Sequence, residues 1–293
     1  MYYRRKILLA LIQLFNGELE KIRLQKLLFM YSRKKTNSEY DFIPYRFGCF
    51  SYSANADLTV MARTGLISES ETHFKCLDTT DYMKAIKETD KTILLSIKSQ
   101  FGKMNSHDLM YHTYVYYPYW ATKSLKAESI LSPNEFERVK NAIPPSRGAV
   151  LYTIGYEGIS LEEYLNRLLI NNVNVLVDVR RNSLSMKYGF SKSQLKKCCE
   201  SIGIEYVHYP DLGIESELRQ ELNNQSDYDK LFESYNQNLK NKSDNQQELI
   251  KLLENNKSIA LTCFEANINQ CHRKHLAEAI QRLSGFNFEI KHI

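Results

Sequence analysis

The chain lacks any stretch of ~20 apolar residues, the length a helix needs to cross a bilayer, so no membrane contact is expected. It also lacks a cysteine framework. Its six cysteines, Cys49, Cys76, Cys198, Cys199, Cys263 and Cys271, are scattered, which argues against a disulfide-stapled secreted fold and for a reducing compartment, the cytoplasm by default. Arg4, Arg5 and Lys6 precede an apolar run as in a signal peptide, but no small-residue cleavage site follows. Gln13, Asn16, Glu18 and Glu20 interrupt the run, so an amphipathic first helix is expected. Internal repeats and long low-complexity tracts are absent, apart from a polar patch at Asn236 to Gln247 that reads as a helix junction or an exposed loop.

What the chain does have is room for two cores, with 293 residues of which 43% are hydrophobic and 25% charged. The break between them falls at Ile143-Pro144-Pro145-Ser146-Arg147-Gly148, where two prolines and a glycine stop helix continuation. The expected domains are 1–143 and 149–293. The net charge of +5 divides unevenly: residues 1 to 148 carry 22 basic against 15 acidic side chains, and residues 149 to 293 carry 17 against 19. The basic excess of the first half suggests an acidic partner, nucleic acid being the usual one, although such an excess also serves as a solvated surface.

The first half reads as mainly helical. Leu24, Leu27, Leu28 and Tyr31 form an i, i+3, i+4, i+7 stripe, and a second helix fits Ala54 to Arg63, stopped by Gly65. Short strands at Leu66-Ile67 and Phe74 to Leu77 follow, so helix, helix and hairpin make a winged-helix-like layout. The segments RLQKLLFMYSRK and FIPYRFGCFSYSANADLTVMARTGLI resemble Panacea and SocA-like antitoxin-type domains, with Cys49 after Gly48 where those domains carry proline. That resemblance implies a small helical fold acting through a protein partner. The aromatic cluster YHTYVYYPYW, Tyr111 to Trp120, suits either a base-stacking platform or, since it holds no Lys or Arg, burial against a neighbouring domain.

From Val150 the pattern changes to alternating strands and helices. Strands are expected at 150–154, 174–180, 205–209, 257–263 and 286–290, and helices at 161–170, capped by Ser160, at 191–199 and at 271–283. Near-continuous apolar strands separated by helices indicate a parallel sheet covered on both faces. The fold class is therefore α/β, a C-terminal parallel-sheet domain preceded by a mainly helical winged-helix-like domain. Ligands of such sheets bind at the carboxyl ends of the strands. Gly155-Tyr156-Glu157-Gly158, Asp178-Val179-Arg180-Arg181, Tyr209-Pro210-Asp211-Leu212-Gly213 and Cys263-Phe264-Glu265 all lie there and are expected to converge on one cleft.

The densest chemistry is TCFEANINQCHRKHL, Thr262 to Leu276. With Leu276, Ala279, Ile280 and Leu283 as the buried stripe, His272 falls near it and Cys271 roughly opposite. The helix N-terminus and Arg273 are expected to lower the Cys271 thiol and to cradle an anion. Three readings compete: a nucleophilic cysteine with His272 or Glu265 moving protons; a metal held by Cys263, Cys271 and His272; and a structural pair with Cys263 buried in the strand and His272 satisfied. Adjacent Cys and His rarely reach one ion and short-loop zinc spacings are absent, so no metal and no cofactor is expected.

YTIGYEGIS, VLVDVRRNSLSMKYGFSKSQL, IEYVHYPDLG and ALTCFEANINQCHRKHLAEAI resemble, in order, the signature segments of domain-of-unknown-function family 488 over residues 150–285. The family's recurring residues fall here on Gly155, Tyr156, Asp178, Arg180, Ser185, Phe190, Leu212, Gly213, Cys263, Glu265, Cys271, His272 and Arg273. The resemblance implies a domain type and no settled reaction. Rhodanese-type sulfurtransferases also place Asp-Val-Arg before a loop, but their cysteine loop is not recognisable. Asp178 and Arg180, at i and i+2, share a strand face and suit a substrate clamp or an internal salt bridge. Ser185, Lys187 and Tyr188 sit on a loop that suits a lid.

The resulting expectation is a two-domain enzyme acting on a nucleotide, a nucleic acid or another phosphorylated ligand, in bacterial genome conflict or defence. Cys271, Glu265 and Asp178 are the catalytic candidates. Gly155, Tyr156, Arg180, Ser185, Gly213, Cys263, His272 and Arg273 are the ligand-binding candidates. The alternative is a non-catalytic nucleotide-sensing adaptor, whose N-terminal domain meets a protein partner or nucleic acid.

Overall fold

The computed structural model describes residues 1–146, 148–215, 218, 222 and 224–293, so Arg147 of the expected linker lies outside the described residues. The chain divides into two compact units, Met1–Ile143 and Pro144–Ile293.

The first unit begins with α1 (Tyr3–Leu14), β1 (Glu18–Glu20) and α2 (Lys21–Arg33), followed by a hairpin of β2 (Ile43–Tyr45) and β3 (Gly48–Phe50). Then come α3 (Tyr52–Arg63), β4 (Ile67–Glu69), β5 (His73–Cys76), α4 (Glu88–Phe101), α5 (Ser106–Tyr116), α6 (Ala127–Ile130) and α7 (Pro133–Asn141). The stripe of α2 does what its spacing dictates: Leu24, Leu27, Leu28 and Tyr31 are buried in one core with Ile7, Leu11 and Leu94. Gly65 adopts φ +75°, a left-handed conformation that ends α3 and costs a glycine little. Strands β1, β5 and β4 form an antiparallel sheet in that order. Part of the aromatic cluster packs into the unit's own interior, where the rings of Tyr117 and Trp120 meet Phe29 edge-on, both at 5.2 Å, and Tyr114 is buried, whereas Tyr111 and Tyr116 are exposed.

The second unit runs β6 (Val150–Gly155), α8 (Leu161–Ile170), β7 (Val175–Asp178), α9 (Lys192–Ser201), β8 (Glu205–His208), α10 (Gln225–Leu239), α11 (Ser243–Asn256), β9 (Ser258–Cys263), α12 (His272–Gln281) and β10 (Glu289–His292). Its five strands are all parallel, in the order β10-β6-β9-β7-β8. Every residue of β6, β7 and β9 is buried, as a sheet covered on both faces requires. Side chains alternate across it. Leu261 joins the core containing Leu249, Leu276 and Ile280 of α11 and α12, whereas Thr262 Oγ1 accepts a 2.8 Å hydrogen bond from the Tyr164 hydroxyl of α8. The two helical layers therefore lie on opposite faces. The polar patch at 236–247 is the junction between α10 and α11.

Because β9 inserts between β6 and β7, the three central strands end side by side, with Gly155 opposite Cys263 and Asp178 opposite Thr262. This is where the chain's strand order reverses, and where an open α/β sheet leaves a crevice. Among the described residues, no helix is long and apolar enough to cross a membrane.

Candidate functional site

The crevice is a cleft of about 330 Å³ lined by Tyr156, Arg180 and Ser185 together with Cys263, Phe264 and His272. At its floor β9 ends on Cys263, whose Sγ lies 3.1 Å from Glu265 Oε2 and 3.6 Å from His272 Nδ1. Cys271 joins them: the ligating atoms of Cys263, Cys271 and His272 all lie within 4.8 Å of one another, and all three residues are buried. Four of the residues singled out in the sequence thus meet at one point.

Cys271 does not point away from the core as the helical wheel implies. It precedes the helix in an extended conformation, φ −131° and ψ 133°, and α12 starts only at His272. The 100° step applies between helical neighbours and not across such a change of backbone class, so both side chains turn inward. Nor is the Cys271 thiol lowered. Burial pushes it well above its ordinary range, the hydrogen-bonded Cys263 thiol adds to the push, and the opposing field of Arg273 is smaller.

His272 Nε2 lies 3.0 Å from the carbonyl oxygen of Val179. A carbonyl can only accept, so Nε2 carries the proton and the lone pair of Nδ1 faces the two thiols. Arg273, also buried, reaches back beneath the 264–266 loop, donating through Nη1 to Glu265 O at 2.5 Å and through Nη2 to Ala266 O at 3.3 Å. Among the described residues its Nε has no hydrogen-bond partner. The guanidinium thus anchors the loop that presents Glu265.

The two glycines act by letting backbone approach. A Cβ at Gly155 would stand 2.0 Å from Glu265 O, and one at Gly213 would stand 2.2 Å from the backbone nitrogen of Arg181. Neither site tolerates a side chain without moving a cleft loop.

Asp178 and Arg180 form a buried ion pair on the face of the sheet opposite Leu261. Arg180 Nε donates to Asp178 Oδ1 at 2.8 Å and Nη2 donates to Oδ2 at 2.5 Å, while Nη1 donates to the Tyr156 hydroxyl at 2.7 Å and to Phe190 O at 2.9 Å. Tyr206 Oη donates to Asp178 Oδ2 at 2.5 Å. Burial lowers a guanidinium, but the bonds and field of Asp178 outweigh it and raise Arg180. Asp178 is fully buried and does not line the cleft, so its geometry is that of a positioning group. It holds Arg180, which holds Tyr156, which stacks on Phe190 at 4.2 Å.

Ser185 sits on the 183–191 loop, which is folded onto itself. Its N–H donates to Ser191 Oγ at 3.2 Å, Ser191 Oγ donates to its carbonyl at 3.0 Å, and its own Oγ accepts from the Lys187 N–H at 3.2 Å. The same loop carries Leu184 and Met186, both strongly exposed and both lining the cleft. Sequence reasoning missed these two as cleft residues, along with Asn182 and Tyr206, whereas it placed Arg181 at the strand ends that line the cleft. The only signal for Leu184 and Met186 was apolar residues inside an otherwise polar loop. Tyr206 was legible as the residue of β8 on the same face as Asp178.

Residues 160–280 match the family model described as Domain of unknown function DUF488. The second unit therefore carries the domain that its motifs resemble, with Gly155 and Tyr156 lying just before the matched segment. No curated protein matches the chain.

Proposed function

We propose that the second unit is an enzyme acting on a nucleotide, a nucleic acid or another phosphorylated ligand, and that the first unit is its recognition module in bacterial genome conflict or defence. One observation carries the enzyme reading: Cys263 and His272 line an open cleft, and Glu265 Oε2 stands 3.1 Å from Cys263 Sγ. Glu265, half-exposed and aimed at Cys263, is the proton-moving group. Cys271 has none of its surface exposed and does not line the cleft, so it supports the centre rather than attacking substrate. The ligand has a polar reacting end at this floor and a flat apolar part against Leu184, Met186 and Phe264, a description that a nucleobase meets.

For the first unit, the support is the succession α1, β1, α2, α3, β4, β5 with the sheet order β1-β5-β4, in which β4 and β5 form the hairpin of a winged-helix-like layout. The β2–β3 hairpin is inserted between α2 and α3. The basic excess of residues 1 to 148 favours an acidic partner.

The test is a panel of nucleotides, short oligonucleotides and phosphorylated metabolites presented to the full chain, reading binding by thermal shift and turnover by product mass. The proposal expects one class to be converted, with Glu265→Gln abolishing conversion while binding persists. It is overturned if nothing in the panel binds or is converted. The adaptor reading draws on the exposed Leu184 and Met186, which also suit a protein surface. It expects binding without conversion and no effect of Glu265→Gln.

A further inference from the structure

We infer that Cys263, Cys271 and His272 are three protein ligands of a zinc ion whose fourth position opens into the cleft. Tetrahedral zinc with Zn–S near 2.3 Å and Zn–N near 2.0 Å places sulfur and nitrogen about 3.6 Å apart and two sulfurs about 3.8 Å apart. Cys263 Sγ and His272 Nδ1 are 3.6 Å apart, and the whole trio lies within 4.8 Å. Closing on an ion therefore needs the ligating atoms to approach by about 1 Å.

Three further features suit a metal. The imidazole is already oriented as a ligand, since Nε2–H donates to Val179 O and leaves the Nδ1 lone pair facing the sulfurs; a backbone carbonyl in that role is a common support for a ligating histidine. The donor set is soft, two thiolates and an imidazole, which excludes magnesium and calcium and suits zinc. The charges also balance. Zinc with two thiolates is neutral, and Arg273 faces the carboxylate-bearing loop of Glu265. Binding releases one proton from each thiol to solvent.

Three protein ligands with a vacant fourth position are the pattern of a catalytic rather than a structural zinc. Glu265 stands two residues beyond the first ligand, with Oε2 3.1 Å from Cys263 Sγ. The remaining step rests on the enzyme reading of the cleft. Glu265 takes a proton from a zinc-bound water, and the resulting hydroxide attacks an electrophilic carbon or phosphorus of the substrate. The bond to the leaving group breaks, and the leaving group departs with the proton returned by Glu265, so the net reaction is hydrolysis.

The experiment is metal analysis of the full chain purified without chelator and then incubated with equimolar zinc. Wild type is expected to hold one zinc per chain, and Cys263→Ser, Cys271→Ser and His272→Ala each to lower zinc affinity at least about tenfold. Cobalt exchanged into wild type is expected to show thiolate-to-metal charge transfer. As a control independent of folding in the ligand variants, wild type stripped by chelator is melted with and without added zinc; the metal is expected to raise the midpoint. A wild type that takes up no zinc and shows no shift overturns the site, as does a Cys263–Cys271 disulfide in place of metal. Glu265→Gln is expected to keep its zinc, and its loss would overturn the open fourth position. Zinc uptake with no hydrolysis of any ligand in the panel leaves the metal site standing and removes the enzyme reading alone.

Discussion

Gly155 and Glu265 are packed so closely that a single methyl group on the glycine would reach within 2.0 Å of the glutamate's carbonyl oxygen. The contact joins the end of β6 to the loop that follows β9, and Arg273 holds the same carbonyl from below. Gly155→Ala is therefore expected to push the 264–266 loop outward and to cost about 1–3 kcal/mol by overpacking. Urea unfolding reads the stability, and turnover or zinc affinity reads the displaced Glu265 and Cys263. An alanine variant equal to wild type in both would show that the loop yields freely.

The Asp178–Arg180 pair is buried on both sides. Asp178→Asn keeps the shape but leaves the guanidinium charge uncompensated, and is expected to cost about 3–5 kcal/mol. Adding Arg180→Met should restore part of that loss. Chemical denaturation of the single and double variants checks both statements; a single variant within about 0.5 kcal/mol of wild type contradicts them.

Asp57 in the first unit receives Arg4 Nε at 2.6 Å, Arg5 Nε at 2.7 Å and the Tyr40 hydroxyl at 3.0 Å. Burial alone raises a carboxyl, but these bonds outweigh it and hold Asp57 below its ordinary 3.8. A depressed folded-state value means that its stabilisation is complete above pH 3.8 and fades as pH falls through the lower folded value. Asp57→Asn should lose about 1–3 kcal/mol at neutral pH, and the gap to wild type should narrow in strong acid. Melting curves at pH 7 and pH 2 decide; a gap independent of pH sinks the assignment.

Lys26 is fully buried, and its ammonium is held by the carbonyl oxygens of Phe47 and Cys49 and by the Cys49 thiol. Burial pushes its pKa down. Lys26→Met fills a similar volume but strands those two carbonyls, and is expected to destabilise by about 1–3 kcal/mol. A variant that melts higher than wild type would mean that removing the buried charge outweighs the lost bonds.

The strands and helices of the second unit were legible where local chemistry alone decides. Val150 to Gly155 and Ile259 to Cys263 are apolar runs long enough only for buried strands, and Ser160 caps α8 by accepting from the Glu163 N–H at 3.0 Å. The convergence of the strand-end residues followed from the sheet rule. What could not be read was anything that depends on a change of backbone class, as at Cys271, or on which face of the sheet a residue occupies, as at Asp178. The helix α10 was missed because its buried residues Phe232, Tyr235 and Leu239 are diluted by polar neighbours. The β2–β3 hairpin was missed because each strand has only three residues.

The insertion of β9 between β6 and β7 sets the timing of assembly during synthesis. Until residues 258 to 263 leave the ribosome, β6 has no strand on its β9 side and β7 can pair only with β8. At ~5–20 residues per second, the ~100 residues between β6 and β9 take about 5–20 s to emerge, during which both edges of β6 and one edge of β7 stay open. The first unit closes its sheet through β1 and β5 far sooner. The chain therefore emerges with its open strand edges in the half that holds the cleft, and the strand that joins β6 to β7 is the one that delivers Cys263.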